Sequence, residues 1–80
     1  MTISTEILRY RPEKECFEAT LLDLRLLEPP TSFLLVNPKT GAKQTMTCNL
    51  IIYEGNTIKG WKYTGGDYVA LVHASNEEVK

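Results

Sequence analysis

Histidine, cysteine and long apolar segments are scarce in this chain of 80 residues, which has one histidine, two cysteines and one tryptophan. A metal site needs several His, Cys or carboxylate ligands at suitable spacing, and the sequence has no such cluster. No segment approaches the roughly 18 apolar residues of a membrane span. The formal net charge of −1 is too small for strong electrostatic binding of nucleic acid. We therefore expect no metal, no cofactor and no membrane partner.

Signals for export are also missing. Residues 1–12 are polar and charged where a secretory signal would need an apolar segment. None of the asparagines begins the Asn-X-Ser/Thr triplet that accepts N-linked sugar. These absences predict a cytoplasmic, reducing location, in which Cys16 and Cys48 would be free thiols.

The composition is that of a small globular protein, with 42% apolar residues and balanced charge. We expect one domain, 1–80, that buries roughly 60–65% of its unfolded surface, with a frayed tail at 75–80. Turn motifs recur at short intervals between runs rich in Leu, Ile, Val, Thr and aromatic residues. This pattern predicts an all-β fold of five or six antiparallel strands in meander order, forming a small barrel or a strongly curled sheet.

The motif Asn-Pro-Lys-Thr-Gly at 37–41 predicts the first hairpin. Proline presets φ for a type I turn, and glycine can take the left-handed position that closes it. The resulting register pairs Phe33 with Met46 and Leu35 with Gln44. Both faces of the first of these strands are apolar, so we expect other parts of the chain to cover both.

Two glycine-containing turns predict the remaining hairpins. Gly55-Asn56 as a two-residue loop pairs Cys48 with Tyr63, and Gly65-Gly66 as a type I′ turn pairs Tyr63 with Tyr68. Cross-strand partners lie on the same face of a sheet. The apolar positions therefore gather on one face, which we expect to be the core face: Met46, Cys48, Leu50, Ile52, Trp61, Tyr63, Tyr68, Ala70 and Val72.

The opposite side of the predicted sheet, here called the second face, carries an apolar strip rimmed by polar residues. Three explanations are open for it. The N-terminal segment could cover it as a second core, or it could be an interface with another protein or a second copy of the chain. Alternatively, it could bind single-stranded nucleic acid, with Tyr53 stacking on bases and Lys43 and Lys62 near phosphates. The second face comprises Thr45, Thr47, Asn49, Ile51, Tyr53, Ile58, Gly60, Lys62, Val69, Leu71 and His73.

The N-terminal third has less definite patterns. Residues 13–27 suit a long strand with one bulge, because the apolar positions change phase once in the middle of the segment. Residues 5–10 suit a short strand or a helical turn. We expect 13–27 to cover part of the first hairpin.

No catalytic arrangement emerges from the sequence. His73 could activate Cys16 or Cys48 as a nucleophile, but Cys48 falls on the core face, where thiols are usually inert. We therefore predict a protein that is not an enzyme but a binding module, a small inhibitor or accessory subunit that occupies a surface of another protein, as a monomer or a homodimer. The predicted protein-binding residues are Tyr53, Ile58, Lys62, Val69, Leu71 and His73; the alternative nucleic-acid site is Lys43, Tyr53 and Lys62.

Overall fold

The computed structural model describes residues 1–74, so the tail expected to fray, 75–80, lies outside the described residues. Residues 1–74 contain no helix, and therefore none long and apolar enough to cross a membrane. The all-β prediction is confirmed by one sheet of seven strands. The strands are β1 (Thr2–Ser4), β2 (Arg9–Arg11), β3 (Cys16–Thr20), β4 (Ser32–Val36), β5 (Lys43–Glu54), β6 (Thr57–Gly65) and β7 (Tyr68–His73).

The order of strands across the sheet is β1-β4-β5-β6-β7-β3-β2. Strands β4 to β7 form the predicted antiparallel meander. Strand β1, however, runs parallel to β4, and β3 runs parallel to β7, so the sheet is mixed and has more strands than predicted. Turn motifs identify hairpins between consecutive strands only, whereas these two parallel pairs join segments that are far apart in the sequence.

Residues from opposite sides of the sheet meet in one core. Ile3 lies on the edge strand β1, and Ala19 lies on β3 near the other edge, yet both belong to the same cluster. A flat sheet would hold these residues far apart, so the seven strands curl strongly into a half-barrel. The buried cluster comprises Ile3, Leu8, Ala19, Phe33, Leu35, Met46, Tyr63, Ala70 and Val72.

The first hairpin has the predicted register. Phe33 pairs with Met46 and Leu35 with Gln44, with all four positions as expected from the turn at 37–41. The cover of β4 agrees with expectation in part, because Ala19 shares the buried cluster with Phe33 and Leu35 of β4, and Leu21 and Leu24 pack against that cluster. Strand β1, which was not expected, pairs with the edge of β4. A strand edge has unpaired backbone groups, which a neighbouring strand satisfies and a covering layer does not.

The turn between β6 and β7 lies one residue later than predicted, which displaces the pairing register by two residues. Tyr63 pairs with Ala70 instead of Tyr68, and Gly65 pairs with Tyr68. The turn residues are therefore Gly66, which has φ of +56°, and Asp67. Because side chains alternate with a period of two, a two-residue displacement leaves each one on its predicted face. Tyr68 lies at the end of the sheet and is 37% exposed, not part of the buried core.

The turn between β5 and β6 is correctly predicted, and Tyr53 pairs with Ile58 beside Gly55-Asn56. Two irregularities interrupt the ladder further along. Asn49 in β5 and Lys59 in β6 have no partner in the register, as expected for β-bulges. Each extra residue changes the phase of side chains relative to the neighbouring strand.

The bulge at Asn49 reverses the faces of the residues that follow it. Leu50 pairs with Lys62, and Leu50 is 52% exposed instead of buried. Ile51 takes the position opposite Trp61. The predicted core positions of Leu50 and Ile52 are therefore wrong. Four consecutive apolar residues suit either phase equally well, so the sequence has no local signal for this bulge.

Residues 13–27 do not form one bent strand. Strand β3 ends at Thr20, whose N–H donates to Asp23 Oδ2 at 2.9 Å, while Asp23 N–H donates to Thr20 Oγ1 at 3.0 Å. Arg25 then has a φ of +56°, which lies outside the strand region. These local bonds replace ladder bonds and make the second half of the segment a loop. The short strand expected at 5–10 appears in part, as β2.

Candidate protein-binding site

Three of the six predicted protein-binding residues, Lys62, Val69 and Leu71, line one depression of about 340 Å³ on the second face. A depression of about 240 Å³ adjoins it and includes a fourth, His73. The two share several residues, so they form one surface feature, here called the groove. Its lining residues are Lys14, Cys16, Leu50, Ile52, Lys59, Gly60, Lys62, Val69, Leu71 and His73.

Strand pairing explains why these residues meet. Leu50, Lys62, Leu71 and Glu18 occupy one row across β5, β6, β7 and β3. Residues paired in this way lie side by side on one face. The bulge at Asn49 brings Leu50 into this row, where it contributes apolar surface to the groove.

Six of the ten groove residues were not in the predicted protein-binding set, and four of these six were missed for two different reasons. Leu50 and Ile52 were assigned to the core because the bulge was not apparent. Lys14 and Cys16 reach the groove because β3 pairs in parallel with β7, a contact between distant segments. The charged and apolar pattern of residues 13–18 has no feature that would indicate this neighbour.

The other two predicted protein-binding residues lie away from the groove, near the tip of the β5–β6 hairpin. Tyr53 is 59% exposed and pairs with Ile58, which is also exposed. Ile58 lines a separate, shallow depression together with Glu54 and Lys59. The structure therefore divides the predicted protein-binding set between a groove and a hairpin tip.

The three residues of the alternative nucleic-acid site do not form one surface. Lys43 begins β5 and pairs with Val36, whereas Tyr53 lies ten positions later on the same strand. At about 3.3 Å per residue, the two are roughly 30 Å apart. Lys62 lies between them in the sheet, opposite Leu50.

A buried carboxylate supports the floor of the groove. The side chain of Glu18 is 4% exposed and lies 3.6 Å from Arg11 Nε, 3.6 Å from Lys14 Nζ and 3.5 Å from His73 Nε2. A buried charge of this kind is tolerated only when it is paired. The cluster links β2, the following loop, β3 and β7, and it holds the Lys14 side chain, which remains largely exposed, at the rim of the groove.

The arrangement offers no nucleophile paired with a base. His73 pairs with Thr20, four positions along β3 from Cys16, which corresponds to about 13 Å. Burial, followed by the charge of Glu18, raises the pKa of the Cys16 thiol and disfavours its reactive thiolate. Cys48 pairs with Tyr63 on the core face. Residues 1–74 also contain no group of three or more His, Cys, Asp or Glu side chains placed to hold a metal ion.

No protein-family model, no curated protein and no solved structure matches this chain. The chemistry of the groove must therefore be judged from its own residues.

Proposed function

We propose that this protein is a non-enzymatic binding module that occupies a surface of another protein through the groove. Its partner would present an extended segment with apolar and acidic side chains. The observation that carries this proposal is an apolar floor with a rim of lysines. Apolar depressions with polar borders are common at sites of protein association.

The apolar part of the groove is open to solvent. Leu50 is exposed, and Ile52, Val69 and Leu71 are half-buried. Each would lose further apolar surface to water when a partner covers it, at about 25 cal/mol per Å². Two adjoining depressions suit two side chains on the same side of an extended segment, because such side chains alternate with a period of two.

The charge at the rim has one sign. Lys14, Lys59 and Lys62 line the groove, and the buried carboxylate below them, Glu18, is already surrounded by cations. Lys59 lies 3.8 Å from Glu54, but both side chains are well exposed, so this pair is weak. The rim thus favours an acidic partner, and complementary charge speeds association and selects among partners.

The proposal can be tested by recovering the tagged chain from its source cells after nuclease treatment. The wild type would be compared with the pair Lys14→Gln and Lys62→Gln, which neutralises the rim. A matched control, Lys39→Gln with Lys43→Gln, removes the same charge from exposed positions outside the groove. We expect the protein partner to be lost or strongly reduced with the rim variant and retained with the control.

The apolar floor is tested in the same way. Leu50→Ser should weaken capture of the same partner, whereas Leu27→Ser, at a fully exposed site that does not line the groove, should not. Equal capture by all variants would contradict the proposal. Recovery of RNA or DNA that nuclease removes, with affinity that falls as salt rises, would favour the nucleic-acid alternative instead.

A further inference from the structure

One edge of β5 has no neighbouring strand within residues 1–74. Strand β4 begins at Ser32, which pairs with Thr47, and Cys48 N–H donates to Thr31 O at 3.0 Å just before it. Beyond that bond, no described strand pairs with this side of β5. Residues 49–54, here called the β5 edge, therefore form an open edge of six residues.

The β5 edge has a bulge at one end, at Asn49, and a charge at the other, Glu54, but no such protection against pairing between them. Proteins commonly block an edge with charged residues, proline or a very short strand. Here Leu50, Ile51, Ile52 and Tyr53 are consecutive and uncharged, and Ile51 is 43% exposed. This composition favours the addition of another strand.

The directions of the backbone groups follow from the hairpin turn. Glu54 and Thr57 flank the two-residue loop, so the groups of Glu54 point toward β6. Because the direction alternates along a strand, Ile52 also points toward β6, whereas the N–H and C=O of Ile51 and Tyr53 point outward. The bulged residue Lys59 belongs to β6 and does not change this count.

We propose that the β5 edge pairs, antiparallel, with the same edge of a second copy of this chain, about a two-fold axis at Ile52. In this register Ile52 faces its equivalent, and Ile51 of each copy faces Tyr53 of the other. Each of these two outward-pointing pairs exchanges two hydrogen bonds, so the edge is satisfied by four bonds to its own copy. An axis at Ile51 would instead set Tyr53 against the bulge at Asn49 and disrupt two of these bonds.

Charge complementarity supports the second copy as the occupant. With the axis at Ile52, Glu54 of one copy faces Leu50 of the other, whose neighbour in the next strand is Lys62. Glu54 and Lys62 would then lie on the same face with one strand between them, about 10 Å apart across the sheet, in both symmetric contacts. No charged residue faces one of like sign across the pair. The hydrogen bonds of this contact come from the backbone of the strand edge, although the side chains of Leu50 and Ile52 also line the groove.

The interface is small. Five paired residues on each side would bury less than the roughly 1,200 Å² typical of stable complexes. The dimer should therefore be weak and depend on concentration. Pairing about this axis keeps the second faces of both copies on the same side of one continuous sheet, so the two grooves would face the same direction.

Sedimentation velocity of the purified chain, from about 10 µM to about 1 mM, would measure weak self-association of the kind expected for a small interface. Amide hydrogen exchange over the same range locates it. We expect a monomer–dimer equilibrium in which exchange at Ile51 and Tyr53 slows as concentration rises. Exchange at Ile52 should not change, because its N–H already points to β6. A monomer at every concentration, or slowing at other strands only, would overturn the proposal.

Two variants test the interface by placing a new lysine on either β5 or its neighbour β6. Tyr53→Lys places a lysine at the β5 edge, and we expect the dissociation constant to rise at least tenfold, or about 1.4 kcal/mol. Ile58→Lys places it on the paired position of β6, and should have little effect. Circular dichroism would verify that both remain folded. Undiminished dimerisation of a folded Tyr53→Lys would place the interface elsewhere.

A charge exchange tests the register. Glu54→Lys should weaken the dimer roughly two- to fivefold, in line with an exposed ion pair, and adding Lys62→Glu should restore it. Failure of the double variant to recover would refute the axis at Ile52. The pure chain could instead stay monomeric, with exchange at Ile51 and Tyr53 slowing only when a different protein is added. That result would refute the second copy as the occupant.

Discussion

Replacing Tyr63 with phenylalanine would remove one buried hydroxyl and retain the ring, whose centre lies 5.0 Å from that of Phe33. The hydroxyl donates to Pro30 O at 2.6 Å, across 33 residues of sequence. A neutral hydrogen bond contributes about 0.5–1.5 kcal/mol, and the Pro30 carbonyl, which is half-buried, would lose a partner. We expect Tyr63→Phe to lower the free energy of unfolding by about 1–2 kcal/mol at pH 7.

The same substitution should change how stability depends on alkaline pH. Burial, followed by the charge of Cys48, raises the pKa of Tyr63 to about 12, compared with 10.0 for a free tyrosine. Between these values the unfolded chain loses this proton and the folded chain keeps it, so unfolding becomes easier. The stability linked to Tyr63 is thus complete below pH 10 and is lost as pH rises toward 12, by no more than about 2.7 kcal/mol.

Urea unfolding followed by circular dichroism, at intervals from pH 7 to about pH 12, would measure both effects. The difference in free energy between wild type and Tyr63→Phe should be constant up to pH 10 and then shrink toward zero or change sign. Other titrating groups, including Tyr10, Tyr53 and Tyr68, are common to both proteins and cancel in the comparison. A difference that stays the same from pH 7 to pH 12 would refute the argument that Tyr63 is a buried, neutral hydrogen-bond donor.

Three further substitutions test the packing of the sheet, a turn glycine and the buried charge. Gly65→Ala would set a Cβ against the carbonyl oxygen of Thr45, a backbone atom that cannot move freely, so we expect a loss of about 2 kcal/mol or more in urea unfolding. Gly41→Ala, where a Cβ would meet no atom but φ is +78°, should cost only about 1 kcal/mol. Glu18→Gln would remove a buried carboxylate that lies beside Arg11, Lys14 and His73, and we expect a loss of about 1–3 kcal/mol at pH 7. Equal urea midpoints for the two alanine variants, or a wild-type midpoint for Glu18→Gln, would contradict these assignments.

The strands joined by short turns were predictable because the information lies within a few residues. The motif at 37–41 determined the pairing of Phe33 with Met46, and Gly55-Asn56 determined that of Tyr53 with Ile58. The turn between β6 and β7 was misplaced by one residue, which shifts the pairing register by two, yet the side chains of β7 stayed on their predicted faces. Alternation in a strand makes an even error harmless, whereas a single inserted residue reverses every face beyond it.

The candidate site was predictable only in part for the same reason. Lys62, Val69 and Leu71 were assigned to the second face from hairpin register, and the structure places them together. Leu50 was assigned to the core because its phase depends on the bulge at Asn49. A bulge forms where the curvature of the whole sheet requires one, and the local sequence need not contain any signal for it.

By itself, the sequence determined that residues 32–73 form an antiparallel meander with Tyr63, Ala70 and Val72 facing inward, because turn geometry and the two-residue period act locally. Only the tertiary structure decided which segments lie beside that meander. The pairing of β1 with β4 and of β3 with β7 closes contacts across long stretches of chain, and their free energy depends on the curled sheet as a whole. That pairing brings Lys14 and Glu18 to the groove, and because β4 begins only at Ser32, the β5 edge stays open.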